Sequence, residues 1–185
     1  MVRPVSELTQ PISPRDHRWG PPTARLTLVQ YGGYQCPTCG AAYPLLLSLL
    51  DRLGDQMCFV FRHFPRSEVY PHAQHAAEAA EAAASQGKFW PMHHHLYSHQ
   101  QALGSGYLVE YAVDLGLDVR QFLREVTGDC FVSRIQDDIA SGRASGVVDT
   151  PTFFINGHRY SGDHTQTALL DALSTIQIPH SQDSG

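Results

Sequence analysis

The sequence predicts an α/β protein whose single sheet is interrupted by a helical block. A β-branched apolar run (Leu26, Thr27, Leu28, Val29) leads into a leucine-rich helical pattern, which leads into a second apolar run. About 75 residues of helical character then follow before β character returns near Thr152. Strand, helix, strand is the opening of an α/β sheet, and the long helical stretch breaks its rhythm.

Composition sets the outer bounds. The 185 residues are 42% apolar and 17% charged, which suits one domain or one domain carrying a sizeable insertion. A net charge of −5 without a basic block argues against nucleic acid or an anionic membrane as partner. No apolar run approaches the ~18 residues of a spanning helix, so membrane insertion is not expected. The first twenty residues hold prolines and charges in place of an apolar signal core. The expected location is therefore cytoplasmic, or periplasmic if a signal has been removed.

Residues 1–23 carry five of the twelve prolines and read as an extended arm. The first strand is expected over 25–31. A helix opening after Cys36 runs to Leu53 and stops at Gly54, a favourable C-terminal cap. Pro44 falls inside it, where the ring opposes the carbonyl four residues back, so a kink is expected and not an end. A nearly continuous apolar strand over 57–63 reads as central and buried on both faces. Helices follow over 73–85, 89–102, 107–115, 118–126 and 130–143, the first rich in alanine and ending at Gly87. A strand at 152–155, the hairpin signal Asn156-Gly157, a short strand at 158–160 and a helix over 164–176 complete the pattern. The implied organisation is an arm (1–23), a core (24–66 and 147–177), an inserted helical domain (67–146) and a frayed tail (178–185).

The chemistry concentrates where the first strand meets its helix, at Cys36-Pro37-Thr38-Cys39. Three residues is about one helical turn, so the second thiol folds back under the first. Pro37 suits the first helical position, leaving Cys36 at the cap, where free N–H groups and the helix dipole favour an anion. This is the recipe for a low-pKa thiolate nucleophile, Cys36, with Cys39 as resolving thiol. A closed structural disulfide or half a zinc site is the competing reading, and no second Cys-x-x-Cys completes four ligands. Cys58 reads as a small buried hydrophobe and Cys130 sits at a helix start; a bridge between them would need a Cα separation that sequence cannot supply. The run His93-His94-His95 cannot converge on a metal, because helical neighbours point about 100° apart. His95 with His99, or His72 with His75, could share a face, yet most of the eleven histidines read as a solvated helix surface and no metal is expected. His63 reads as a strand-end polar residue, and Trp90 as packing beneath the insertion.

Taken together, several segments resemble the DsbA-like thioredoxin-fold oxidoreductases over about residues 17–175. They are Gly20-Pro21-Pro22, the Tyr34-Gln35-Cys36-Pro37-Thr38-Cys39-Gly40 turn, Phe61-Arg62-His63-Phe64-Pro65, Pro71-His72-Ala73, Lys88-Phe89-Trp90 and Thr150-Pro151-Thr152-Phe153-Phe154. The resemblance implies a thioredoxin-like fold with an all-helical insertion, and a cis Pro151 facing the cysteines. It also implies that Thr150 presents backbone groups to an extended substrate. Pro37, Thr38, Thr150, Pro151 and, in a groove beside the turn, Tyr34 are the expected substrate-binding residues. The redox-active pair would serve without a separate cofactor, on protein or small-molecule disulfides, with glutathione or a thioredoxin-type protein as redox partner. Three positions depart from the family pattern. Gln30 and Gly33 stand where acids are usual, so proton removal from Cys39 is expected to be slower. Asp149 stands where a glycine is usual and either raises the thiol pKa or is a solvated loop carboxylate. The rival readings are a redox-sensing module without turnover and a glutathione-dependent transferase or isomerase of related fold. Neither nucleotide-binding nor metalloprotease motifs occur.

Overall fold

A computed structural model describes residues 7–163, 168–169 and 171–173. The expected helix over 164–176 and the tail over 178–185 lie largely or wholly outside these residues. Five strands form one sheet: β1 (His17–Trp19), β2 (Leu26–Gly32), β3 (Met57–His63), β4 (Thr152–Ile155) and β5 (His158–Arg159), in the order β1-β3-β2-β4-β5. β2 and β3 run parallel and the other pairs antiparallel. Six helices are described: α1 (Pro37–Leu53), α2 (Ala73–Ser85), α3 (Phe89–Ser98), α4 (Ser105–Asp114), α5 (Val119–Thr127) and α6 (Val132–Ala144). The fold is the expected mixed α/β arrangement, with α2 to α6 inserted between β3 and β4.

Side chains alternate across a strand, so β2 and β3 must find apolar cover on two sides. Leu26, Leu28, Phe59 and Phe61 pack with Ala42, Leu46 and Leu49 of α1 and with Met92 and Leu96 of α3. Val29, Tyr31, Val60 and Phe154 pack on the opposite side against Ile135 and Ile139 of α6. This two-sided burial is why β3 reads as a continuous apolar run. In α2 the alanines let the helix backbone come close, and its residues 76–83 are all buried, Glu78 and Glu81 included. α1 passes through Pro44 without ending.

Two segments differ from expectation for identifiable reasons. Within the proline-rich start, read as an extended arm or linker, a strand forms: β1 pairs with β3 and makes one edge of the sheet. Arg62, 1% exposed, holds it there, donating from Nε and Nη2 to the Asp16 carboxylate and from Nη1 and Nη2 to the Gln10 and Pro11 carbonyls. The guanidinium keeps the Asp16 carboxyl below its usual range against the opposing pull of burial. α3 also ends at Ser98 and not at 102, because His99 leaves the helical region (φ −132°, ψ 44°). That departure frees Gln100 for a role at the active turn.

Candidate active site

β2 ends at Gly32, and the chain turns through Tyr34 into α1 with Cys36 as the N-cap and Pro37 at the first helical position. Cys36 Sγ accepts from the Cys39 amide at 3.4 Å and lies 3.0 Å from Thr38 Oγ1. The Thr150–Pro151 bond is cis, and it brings the Thr150 carbonyl 3.3 Å from Cys36 Sγ and 2.9 Å from the Thr38 hydroxyl that donates to it. The site is thus closed by a residue more than a hundred positions away in the chain.

The two thiols are pushed in opposite directions. Hydrogen bonding from Cys39, then from Thr150 and Thr38, outweighs burial and brings Cys36 down to about 5. Burial drives Cys39 well above its ordinary range, and proximity to Cys36 adds to it. All four cysteines are unpaired thiols; Cys58 is buried and Cys130 exposed, so no Cys58–Cys130 bridge forms.

A groove of about 380 Å³ opens beside the pair, lined by Thr38, Asp149, Thr150, Pro151, Thr152, Arg159 and Tyr160 among others. Thr38, Thr150 and Pro151 thus share one groove, while exposed Pro37 stands outside this lining. Tyr34 requires a correction. Its ring is 1% exposed and packs against Phe61, His93 and Tyr97, with its hydroxyl 2.9 Å from His93 Nδ1. The aromatic side chain takes the apolar space under α3, so it supports the turn from below and does not line the groove. Asp149 is the solvated loop carboxylate of the two readings, its side chain 72% exposed. It pairs with Arg66 at 2.6 Å and accepts the Thr150 amide at 2.7 Å, orienting the loop before Pro151.

Other supports escaped the sequence reading. The Gln100 amide donates to the carbonyls of Tyr34 and Cys36 at 2.7 and 2.8 Å, pinning the active turn from the insertion. Gly40 makes room for it, since a Cβ there would collide with the Gln100 side chain. A glycine in the first turn of an otherwise strong helix was the available signal, because it costs stability unless something needs the space. His93, expected on a solvated surface, is fully buried, and burial holds its ring neutral. His63 is buried too. Its Nε2 lies 2.8 Å from Glu81 Oε1, and His17 Nε2 lies 2.7 Å from the same oxygen. These three residues bring potential metal-ligand atoms within 4.8 Å of one another, and their hydrogen bonds already satisfy the group. His95 and His99 stack on each other and on Tyr111, which uses the shared face for packing.

A family model described as thioredoxin matches residues 13–175. The chain belongs to the thioredoxin family. Among solved structures it is similar to a thioredoxin-like oxidoreductase from Silicibacter pomeroyi, with a TM-score of 0.78 and 26% identity over 88% of this chain and 92% of that one. BdbD from Bacillus subtilis superimposes with a TM-score of 0.79 at 19% identity (92% and 97% covered). Wolbachia pipientis α-DsbA1 gives 0.80 at 17% identity (91% and 94% covered). The fold is DsbA-like. Curated relatives include the Na(+)/H(+) antiporter NhaA 1 of Mycobacterium sp. strain KMS, 40% identical over 169 residues, and NhaA 3 of Salinispora tropica, 42% identical over 170. These matches take in 90% and 91% of this chain but only 28% and 26% of the relatives, so the chain spans about a quarter of their length. Among the described residues, no helix is long and apolar enough to cross a membrane.

Proposed function

We propose that this chain is a thiol–disulfide oxidoreductase acting on protein or small-molecule disulfides, with Cys36 as nucleophile and Cys39 as resolving thiol. The observation that carries the reading is the opposed environment of two thiols one helical turn apart, the first stabilised as a thiolate beside the cis-proline loop. In the reducing direction the Cys36 thiolate attacks a substrate sulfur, forming a mixed disulfide and releasing the other substrate sulfur as a thiolate. Cys39 then loses its proton and attacks Cys36 Sγ; the second substrate sulfur leaves with the electron pair, and the Cys36–Cys39 disulfide remains. Thr150 and Thr152 lie along the groove where an extended substrate would run, which supports strand-like docking. A thiol pKa of about 5 falls between the values near 7 and near 3.5 that accompany potentials of about −270 and −120 mV in this fold. We therefore assign the pair an intermediate potential. An oxidising compartment would make it an oxidant, and a glutathione-poised cytosol would keep it reduced, with a glutathione or thioredoxin-type partner.

A redox switch without turnover is the second reading. It draws on the curated relatives, in which the matched region is about a quarter of a chain named as an Na(+)/H(+) antiporter. Insulin reduction with dithiothreitol as regenerant separates the two. The oxidoreductase reading expects catalysis above the uncatalysed rate that disappears in Cys36→Ser; reversible disulfide formation without catalysis overturns it.

A further inference from the structure

The groove beside the cysteines carries a charge that the fold leaves without an ionic partner. Arg159 lies on β5 opposite Phe154, whose side chain packs on the α6 side of the sheet. Residues facing each other across a ladder point to the same side, so the Arg159 side chain leaves the sheet toward the end of α6. There its Nη1 donates to the Gly146 carbonyl at 2.7 Å. That acceptor is itself held. Gly146 (φ 78°) turns the chain out of α6, its amide donating to the Arg143 carbonyl and the next amide, of Val147, to the Gly142 carbonyl. The half-buried arginine is thus fixed at its base by strand pairing and at its tip by one hydrogen bond. Its other N–H groups have no partner, and no carboxylate pairs with it, among the described residues. The acid that shares the groove is engaged elsewhere: Asp149 lies 2.6 Å from Arg66, which also pairs with Glu68. The unpaired charge in the groove lining is therefore positive, on a chain whose net charge is −5.

We infer that Arg159 sets substrate preference, docking a carboxylate side chain of the peptide that carries the disulfide. The inference rests on the exchange chemistry proposed above and adds a selection to it: an acidic residue close in sequence to the reacting cysteine. A guanidinium is a planar fork that takes a carboxylate through two parallel hydrogen bonds, and it is less strongly hydrated than an ammonium. Because Arg159 is already anchored, little side-chain freedom is lost when the carboxylate arrives. Thr38, Thr150 and Pro151 line the same groove of about 380 Å³, so a peptide leaving the Cys36 sulfur along it passes the guanidinium. An extended chain rises about 3.3 Å per residue, which puts the docked acid within a few residues of the cysteine. Arg159 takes no part in the electron transfer. The Cys36 thiolate attacks the substrate sulfur, the new S–S bond forms, and the leaving sulfur departs with the electron pair of the broken bond.

The test is a competition between peptides for Cys36. Short peptides with a single cysteine, activated as the thiopyridyl disulfide, carry glutamate in turn at each neighbouring position on both sides of that cysteine; matched peptides carry glutamine or lysine. In a Cys39→Ser, Cys130→Ala protein the adduct accumulates on Cys36, and mass spectrometry of the digested protein gives its rate and its site. The preferred glutamate peptide should react about fivefold faster than its glutamine counterpart, as a partly exposed ion pair allows, and the preference should shrink as salt is raised. Arg159→Gln should abolish the preference, and Arg159→Glu should reverse it in favour of lysine. The ratio between peptides is the readout, so a general loss of reactivity in a variant does not imitate the effect. Adducts that form on Cys36 without a glutamate preference, or with the same preference in Arg159→Gln or Arg159→Glu, overturn the assignment of Arg159 and leave the exchange reading in place. A Cys36 that forms no adduct with any peptide overturns both. A preference that is lost in Arg159→Gln, in a protein whose wild type does not reduce insulin, keeps the assignment and overturns turnover.

Discussion

At the N-terminus of α1, Cys36 meets the Cys39 amide, the Thr38 hydroxyl and the Thr150 loop, whereas Cys39, one turn further on, meets buried side chains and the underside of the sheet. The first environment supplies hydrogen bonds to a developing anion; the second removes water without replacing it. The contrast shows that placement on one helix does not make two thiols alike. Distance from the helix end and the identity of the facing element decide which form each prefers. In the exchange proposed above, these hydrogen bonds favour attack by Cys36 on the groove side, and proton removal from Cys39 on the dry, sheet side limits resolution.

The strongest way to break this comparison is to remove each sulfur in turn. Cys36→Ser should abolish insulin reduction. Cys39→Ser should leave the first attack intact and accumulate mixed disulfide, detectable by mass spectrometry; equal loss of attack in both variants would erase the distinction. Next in size, Gln30→Glu places a carboxylate on the dry side, where burial raises its pKa toward neutrality. Breakdown of the mixed disulfide at pH 7 should then accelerate about tenfold or more. No acceleration would mean that proton removal does not limit this step.

On the groove side, Thr38→Val deletes the hydroxyl that lies 3.0 Å from the Cys36 sulfur and turns its proton from the Thr150 carbonyl to the thiolate when Cys36 ionises. A bond worth about 1 kcal/mol corresponds to an upward shift of about 0.7 pH unit in the 240 nm titration of Cys36. The reduced fold should also respond to pH. Cys36 is depressed to about 5 in the folded reduced protein, against about 8.5 in an unfolded chain. Its ionisation therefore stabilises the reduced fold fully above about pH 8.5, and that contribution is lost as pH falls through about 5. Reduced protein should lose thermal stability relative to Cys36→Ala across this window, and parallel curves would remove the claim.

The N-terminus of α1, its extent to Leu53 and the position of β3 were legible because each has a local cause: a proline at the first helical position, a glycine after the last leucine, and a run buried on both faces. The place of Cys36 at the helix cap was legible for the same reason, since a cap is defined by the few residues around it. Tyr34 was misplaced because an aromatic beside an active turn fits a groove or a core equally well, and only α3 packing above it makes it core. The strand at His17–Trp19 was hidden for a similar reason. An edge strand of three residues has little propensity of its own, and Arg62 must fold over Asp16 before the strand has a partner.

By itself, the sequence determined the spacing of Cys36 and Cys39, their place on a strand-to-helix turn and the helical block set into the sheet. These follow from spacing and periodicity within short windows. The tertiary structure alone decided what surrounds the active turn: Thr150 arriving across the cis-proline loop and Gln100 reaching back from the end of α3. These are encounters between residues 64 to 114 positions apart or on different elements, and their energies depend on burial, which no short stretch of chain specifies.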